Sequence, residues 1–260
     1  MFTVLPFDLA PGFTLTQFRE AIEAKLLELP SVTLHDAYDN GGGEYYRVFK
    51  LLPSGTHANR LFVRLTFTTY GYVQAEMLDG WDNVNHSGTK ISQAFGFAYL
   101  SGNSIGVTGF VAKSTDGSLV TSLKQSNNYL FGVAKIDVAN PIWDTNTYMP
   151  YAATSDFGGF YLIQGTNKNP WGNTNYLGYI ISANRPSNLD PVSGKRLLLT
   201  DYPIVSEVTF WGYLTTEIGR VNTAAASSNP GDEFTDGVTT EKWLQIDTSS
   251  WMATCIKVAN

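Results

Sequence analysis

Residues 61–68 read LFVRLTFT, in which Leu61, Val63, Leu65 and Phe67 alternate with Phe62, Arg64, Thr66 and Thr68. A period of two sends successive side chains to opposite faces, so this is a strand with one apolar face and one mostly polar face. Upstream, in TLTQFREAIEAKLLELP (14–30), the period changes: Phe18, Ile22, Leu26 and Leu29 recur at helical spacing. Thr14 and Gln17 have the spacing of a capping box, with Thr16 as a rival N-cap. Pro30 ends the helix, because the residue before a proline is pushed out of the α region. A singly striped helix followed by a singly striped strand predicts that the helix covers the sheet's apolar face.

Between them, Asp39-Asn40-Gly41-Gly42-Gly43 separates two β-prone runs, a hairpin signal, and the second run is EYYRVFKLL. The polar loop PSGTHANR follows, and after LFVRLTFT another strand, Tyr72 to Leu78, runs into Asp79-Gly80-Trp81. Beyond the polar stretch from Asp82 to Lys90 the strand candidates are ISQAFGFAYL, SIGVTGFVAK, NYLFGVAKIDV, GGFYLIQG, NYLGYIISA, IVSEVTFWGYLTT and WMATCIKVA. Turns such as Ser101-Gly102-Asn103, Asp116-Gly117-Ser118 and Ser193-Gly194-Lys195 divide them. Pro141 to Ser155 and Ala224 to Asp236 read as surface loops, the latter as the best candidate for a mobile one. The expected fold is mainly β with an α+β start: one amphipathic helix, then antiparallel meanders forming a sandwich or distorted barrel. Residues 1–260 read as a single β-rich domain. The alternative is a split into a helix plus β-meander (1–85) and a β-rich lobe (86–260).

Composition narrows the function classes. Charged residues are 15% of the chain, against about 25% in ordinary domains. Ser, Thr, Asn, Gly and aromatics stand in their place, the mix that half-buried strands and polar turns require. A net charge of −6 and a pI near 5.0 argue against nucleic acid as a partner, since phosphate binding needs a Lys/Arg face. Cys255 is the sole cysteine, so neither an intrachain disulfide nor a thiolate metal cluster is expected, and synthesis in a reducing compartment fits. The start, MFTVLPFDLAPGF, lacks a basic segment and carries Asp8, unlike a secretory signal. No run approaches the ~18 consecutive apolar residues of a membrane span, so no membrane insertion is expected. Synthesis in a cytoplasm follows, and any life outside it would come through assembly into a particle.

Catalytic patterns are missing. His35, His57 and His86 are isolated, with no i, i+4 pair and no HExxH. Gly-x-Ser-x-Gly does not occur, and Cys255 has no nearby base in sequence. Ser193-Gly194-Lys195 lacks the glycine spacing of a phosphate loop, and Gly102 to Gly106 is a turn pattern rather than a dinucleotide fingerprint. Paired carboxylates remain: Asp79 and Asp82 flank Gly80-Trp81, and Asp232, Glu233 and Asp236 crowd one loop. Two acids beside a tryptophan fit a glycosidase subsite, yet acids next to Gly and Asn are more often turn formers. A calcium site at 232–236 lacks the twelve-residue ligand pattern. Trp143, Trp171 and Tyr148 read as lying in polar loops, where such rings either staple the loop down or contact sugars and partner proteins. No residue is therefore assigned a catalytic, cofactor-binding or metal-binding role, and the chain reads as a non-enzyme without a cofactor.

Three stretches carry a family resemblance: FTLTQFREAIEAKLLELPSVTLHDAYDN, then EYYRVFKLL, then NRLFVRLTFTTYGYVQAEMLDGWDNVNHSGT. Their order of helix, β-hairpin, FVRLTF strand and Gly-Trp-Asp segment resembles the opening of tailed-bacteriophage virion proteins of the tail, baseplate or tail-tip kind. GGFYLIQGTNKNPWGNTNYLGYIISANR and KWLQIDTSSW are similar in character to the same group. The resemblance covers the N-terminal third best and offers no site residues to match. It implies a non-enzymatic structural component of a virion, present in multiple copies and contributing to host attachment. Its partners would be other virion proteins, copies of itself and a host-surface glycan. The alternative drawn from the residues is a carbohydrate-binding or glycan-depolymerising β-rich protein.

Overall fold

The computed structural model describes residues 1–52, 61–90, 95–100, 103–137, 148–154, 161–162, 198–200, 203–206, 209–214, 217–222, 229–235, 240–246 and 252–259. Among them are nineteen strands and one helix. The chain opens with β1 (Phe2–Leu9) and α1 (Leu15–Glu28), followed by β2 (Thr33–Asp39), β3 (Glu44–Lys50), β4 (Phe62–Thr68), β5 (Tyr72–Asp82), β6 (Ser87–Lys90) and β7 (Phe95–Tyr99). The remainder is β8 (Val107–Ser114), β9 (Leu119–Lys124), β10 (Asn128–Asp137), β11 (Tyr148–Thr154), β12 (Tyr161–Leu162) and β13 (Leu198–Leu199). Then come β14 (Pro203–Ser206), β15 (Thr209–Leu214), β16 (Ile218–Asn222), β17 (Glu233–Thr235), β18 (Lys242–Gln245) and β19 (Met252–Val258). The fold is mainly β, as the alternation predicts.

Two sheets divide these strands. The first runs β2-β3-β4-β5 as an antiparallel meander, and β5 then pairs with β6 along one half and β7 along the other. The second runs β12-β11-β10-β9-β8-β1-β19-β16-β13, with the β14–β15 and β17–β18 hairpins attached to β10 and β19. Its pairings are antiparallel except for β1 beside β19, where Phe2 meets Val258. β9 is buried on both faces: Leu119 and Leu123 enter the main core, while Ser122 Oγ on the other side donates to the Ile246 carbonyl at 2.5 Å.

α1 starts where the capping box puts it. Thr14 is the N-cap: its Oγ1 accepts from Gln17 N, and its own N–H donates to Gln17 Oε1. That pairing satisfies two otherwise orphaned donors. It also fixes the rotation of the helix, so that Phe18, Ile22 and Leu26 are buried together with the C-cap Leu29. They join Leu61, Val63, Leu65 and Phe67 of the first sheet, and Phe7, Val107 and Val111 of the second, in one hydrophobic cluster. The helix is therefore covered from both sides. Arg47 Nε of β3 holds Glu23 of the helix at 2.6 Å, and the Arg19 guanidinium lies 4.6 Å from the Tyr45 ring centre.

Several expectations are corrected here. The opening segment, read only as lacking a secretion signal, is strand β1, paired along its length with β8. Pro6 sits in it opposite Phe110, on a stretch where, among the described residues, β1 has a neighbour on one side only; this is how a strand tolerates a missing N–H. The interruption at 141–155 contains β11, which pairs with seven residues of β10, and the 224–236 segment contains β17. Both lack clean alternation in sequence, and tertiary pairing supplies the strand state that local pattern did not. IVSEVTFWGYLTT yields two strands rather than one, β14 and β15, paired to each other. The candidate NYLGYIISA and the Ser193-Gly194-Lys195 turn lie outside the described residues.

Replacing Leu26 by Ala should lower unfolding free energy by roughly 2–5 kcal/mol, the cost of a cavity at a site that cannot collapse. Chemical denaturation of the purified protein measures it. A loss under about 0.5 kcal/mol, the range of an ordinary surface change, would show that α1 is not part of the core.

Candidate functional site

The face of the first sheet away from α1 is built from the other parity of the same strands. Register sets Tyr38 opposite Tyr46, Val48 opposite Arg64, and Arg64 opposite Glu76. Val48, Phe62 and Leu78 form a small buried cluster there, with Tyr38 and Trp81 packed against it. Beyond Leu78 the ladder shifts register, at a bulge between Asp79 and Asp82 that includes Gly80 at φ 80°. This bend carries the β5–β6 turn back across the face to β2, three strands away in the sheet.

One carboxylate receives it. Asp36 Oδ2 accepts from Trp81 Nε1 at 2.8 Å and lies 2.8 Å from His86 Nδ1. The His86 ring stacks on Tyr38 at 4.3 Å between centres and 18° between planes, and Tyr38 stacks on Tyr46 at 4.4 Å and 7°. The Arg64 guanidinium lies 5.1 Å from the Tyr46 ring and 5.9 Å from the Trp81 ring, donates to Tyr38 Oη at 3.1 Å, and pairs with the buried Glu76. Asn83 Nδ2 donates to the His35 carbonyl at 3.0 Å, and the His35 ring rests against Phe62. His86 reaches its place with φ at 48°, a left-handed conformation that costs an L residue roughly 1–2 kcal/mol.

The electrostatics follow from this packing. Burial by itself pushes the Asp36 carboxyl up, but hydrogen bonds to His86 and Trp81 outweigh it and hold the group below its ordinary value. Burial raises the Tyr38 phenol against the opposing pull of Arg64. Burial, together with the Glu44 carboxylate that accepts its hydroxyl, pushes Tyr46 up to about 12. Burial and the nearby Lys50 lower His35. The cluster is thus a set of charges and ring faces packed against one another, with His86, 44% exposed at its side chain, as its outermost ring.

Among the described residues, the acids singled out in sequence build turns and surface pairs at two separate places. Asp79 and Asp82 sit at the β5 bulge, where Asp82 builds the turn: it accepts from Val84 N, Asn85 N and Asn85 Nδ2. Bonds from Asn85 and these backbone amides keep its carboxyl below the ordinary range. Asp232 does the same at the β17 end of the second sheet, accepting from Asn229 N at 2.8 Å. Glu233 pairs with Lys242 at 2.7 Å beside a shallow depression that Phe234, Thr235 and Thr240 also line. Asp236, His57, Trp143, Trp171 and Trp251 lie outside the described residues, and Tyr148 begins β11. Trp243 and Cys255 are buried together. Among the described residues no three His, Cys, Asp or Glu side chains gather as a metal site, and no helix is long and apolar enough to cross a membrane.

Sequence reasoning missed Asp36, Tyr38, Tyr46, Arg64 and Glu76. The available signal was parity: Tyr46, Arg64 and Glu76 occupy the polar side of strands whose apolar side is plain. What brings Trp81 and His86 to Asp36 beside them is the β5 bend, which a one-residue shift in register produces. Neither a family model, nor a curated protein, nor a solved structure matches this chain.

A depressed carboxyl contributes stability that is present above its unfolded value, 3.8 for Asp36, and is lost as pH falls through the folded one. The Asp36→Asn variant should therefore melt below the unaltered protein at neutral pH, and the gap should narrow as pH falls below the ordinary carboxyl value and through the folded one. Thermal melts across that range give the answer. Parallel curves would mean that Asp36 ionisation does not hold the turn.

Proposed function

We propose that this chain is a non-enzymatic structural component of a tailed-phage virion, of the tail or baseplate, working in multiple copies and contributing to host attachment. The observation that carries the reading is how the first sheet uses its polar groups. Asp36, Arg64, Glu76, Tyr38, Tyr46, Trp81 and His86 are engaged with each other in closing a curled sheet. Such a network ties side chains of β2, β3, β4 and β5 and the β5–β6 turn into one arrangement, which suits a scaffold. The low charge and the order of helix, hairpin and strand in the N-terminal third support the same reading. Purified particles from an infected culture provide the test. The protein should co-sediment with intact tails at a fixed ratio, and its absence from washed particles would overturn the proposal.

A second reading, a carbohydrate-binding or glycan-depolymerising protein, is favoured by two solvent-exposed tyrosines. Tyr70 is 82% exposed and Tyr72 49%, and they flank Gly71 in the β4–β5 turn. An exposed ring offers its face to the CH groups of a sugar. Incubation with host surface polysaccharide separates the cases: retention without new reducing ends indicates a binder, and new reducing ends indicate an enzyme. The absence of both retention and new reducing ends would overturn this reading.

A further inference from the structure

Among the described residues β2 has one ladder neighbour, β3. The other side of such a strand is a row of backbone donors and acceptors on which a further strand can form. Two of the β2 groups are taken by side chains. The His35 carbonyl accepts from Asn83 Nδ2 at 3.0 Å, and the Ala37 N–H donates to Asp36 Oδ1 at 2.8 Å. The second oxygen of Asp36 is held by Trp81 and His86. Asn83 and His86 belong to the β5–β6 turn, whose ladder partner is β5 and not β2. Residues 82–89 are exposed, and the left-handed backbone at His86 is a conformation that persists only while its surroundings hold it. The contact between turn and edge therefore rests on a few side-chain bonds to a strained segment.

We propose that the β5–β6 turn is a strap that blocks the β2 edge, and that displacing it opens the edge to antiparallel pairing with β2 of a second copy. The residue pattern of the strand fits this occupant. Pairing centred on Ala37 sets His35 of each copy opposite Asp39 of the other, and Asp36 opposite Tyr38, so no like charges face across the ladder. The bulge between Leu34 and Asp36 and the two acids on the strand weaken pairing with an arbitrary partner. The inference deepens the assembly reading by naming the surface through which copies meet. It rests on that reading for its purpose, and the test below needs only the isolated full chain.

Sedimentation velocity over a concentration series decides it, on three proteins: the unaltered chain, Asn83→Ala/His86→Gly, and the same pair with Ala37→Pro. Glycine keeps the left-handed turn while removing the imidazole, and proline removes the Ala37 donor. The strap variant should self-associate at least about tenfold more tightly than the unaltered chain, and the added proline should return association to the original level. A strap variant that melts cooperatively and associates no more tightly would overturn the proposal, as would association that survives the proline. Should the double change unfold the protein, Asn83→Asp replaces it with the same two outcomes, since a carboxylate there repels the His35 carbonyl. A negative result leaves co-sedimentation with particles untouched, so failure of the strap and failure of the virion role are distinguishable.

Discussion

Phe18 is wholly buried and touches rings from both sheets. Its centre lies 5.9 Å from Phe7 of β1, in an edge-on arrangement, and 6.3 Å from Phe67 of β4. The largest hydrophobic cluster is built around that three-ring contact, because it makes one helix the filling between two sheets. The placement depends on the Thr14–Gln17 capping box four residues upstream, which fixes where the first turn begins and so which way Phe18 points. A start one residue later would rotate the stripe by about 100° and present a polar side chain to one sheet.

On the opposite face of the first sheet the organising group is a carboxylate rather than a ring. Asp36 ties Trp81 and His86 to β2, and the Arg64–Glu76 pair lies between, under the tyrosine rings. A buried ion pair is weak evidence of stability taken alone, since desolvation offsets much of its attraction. Its value here is geometric: the planar guanidinium meets a carboxylate, a phenol oxygen and two ring faces at once. That combination selects one curvature of the sheet over neighbouring ones.

How much of this was readable beforehand depends on the range of the interactions. The helix, its N-cap, its buried stripe and the apolar parity of β4 are consequences of residues within a turn or two of each other, and they match. The Asp39–Gly43 hairpin matches for the same reason, with Gly41 and Gly43 at positive φ. β1, β11 and β17 did not stand out, because what makes them strands is a partner elsewhere in the chain. The ring stack was least readable of all. Tyr38 and Tyr46 are ordinary residues of a polar face until the bulge at Asp79–Asp82 brings the β5–β6 turn, and His86 with it, over them.

The position of β1 has a bearing on how the molecule reaches this state. Its long partner, β8, follows only after the whole first sheet has been translated, and its short partner, β19, is the last strand of the chain. Pairings of such wide sequence separation carry a high closure entropy and form slowly. The first sheet, by contrast, pairs each of β2, β3, β4 and β5 with the next strand in sequence. During synthesis α1 can therefore settle on the meander early, leaving Phe18 with one side uncovered until β1 and β8 close over it. A nascent chain paused at that stage would expose an aromatic surface, which makes the interval before β8 emerges the stage most in need of a chaperone.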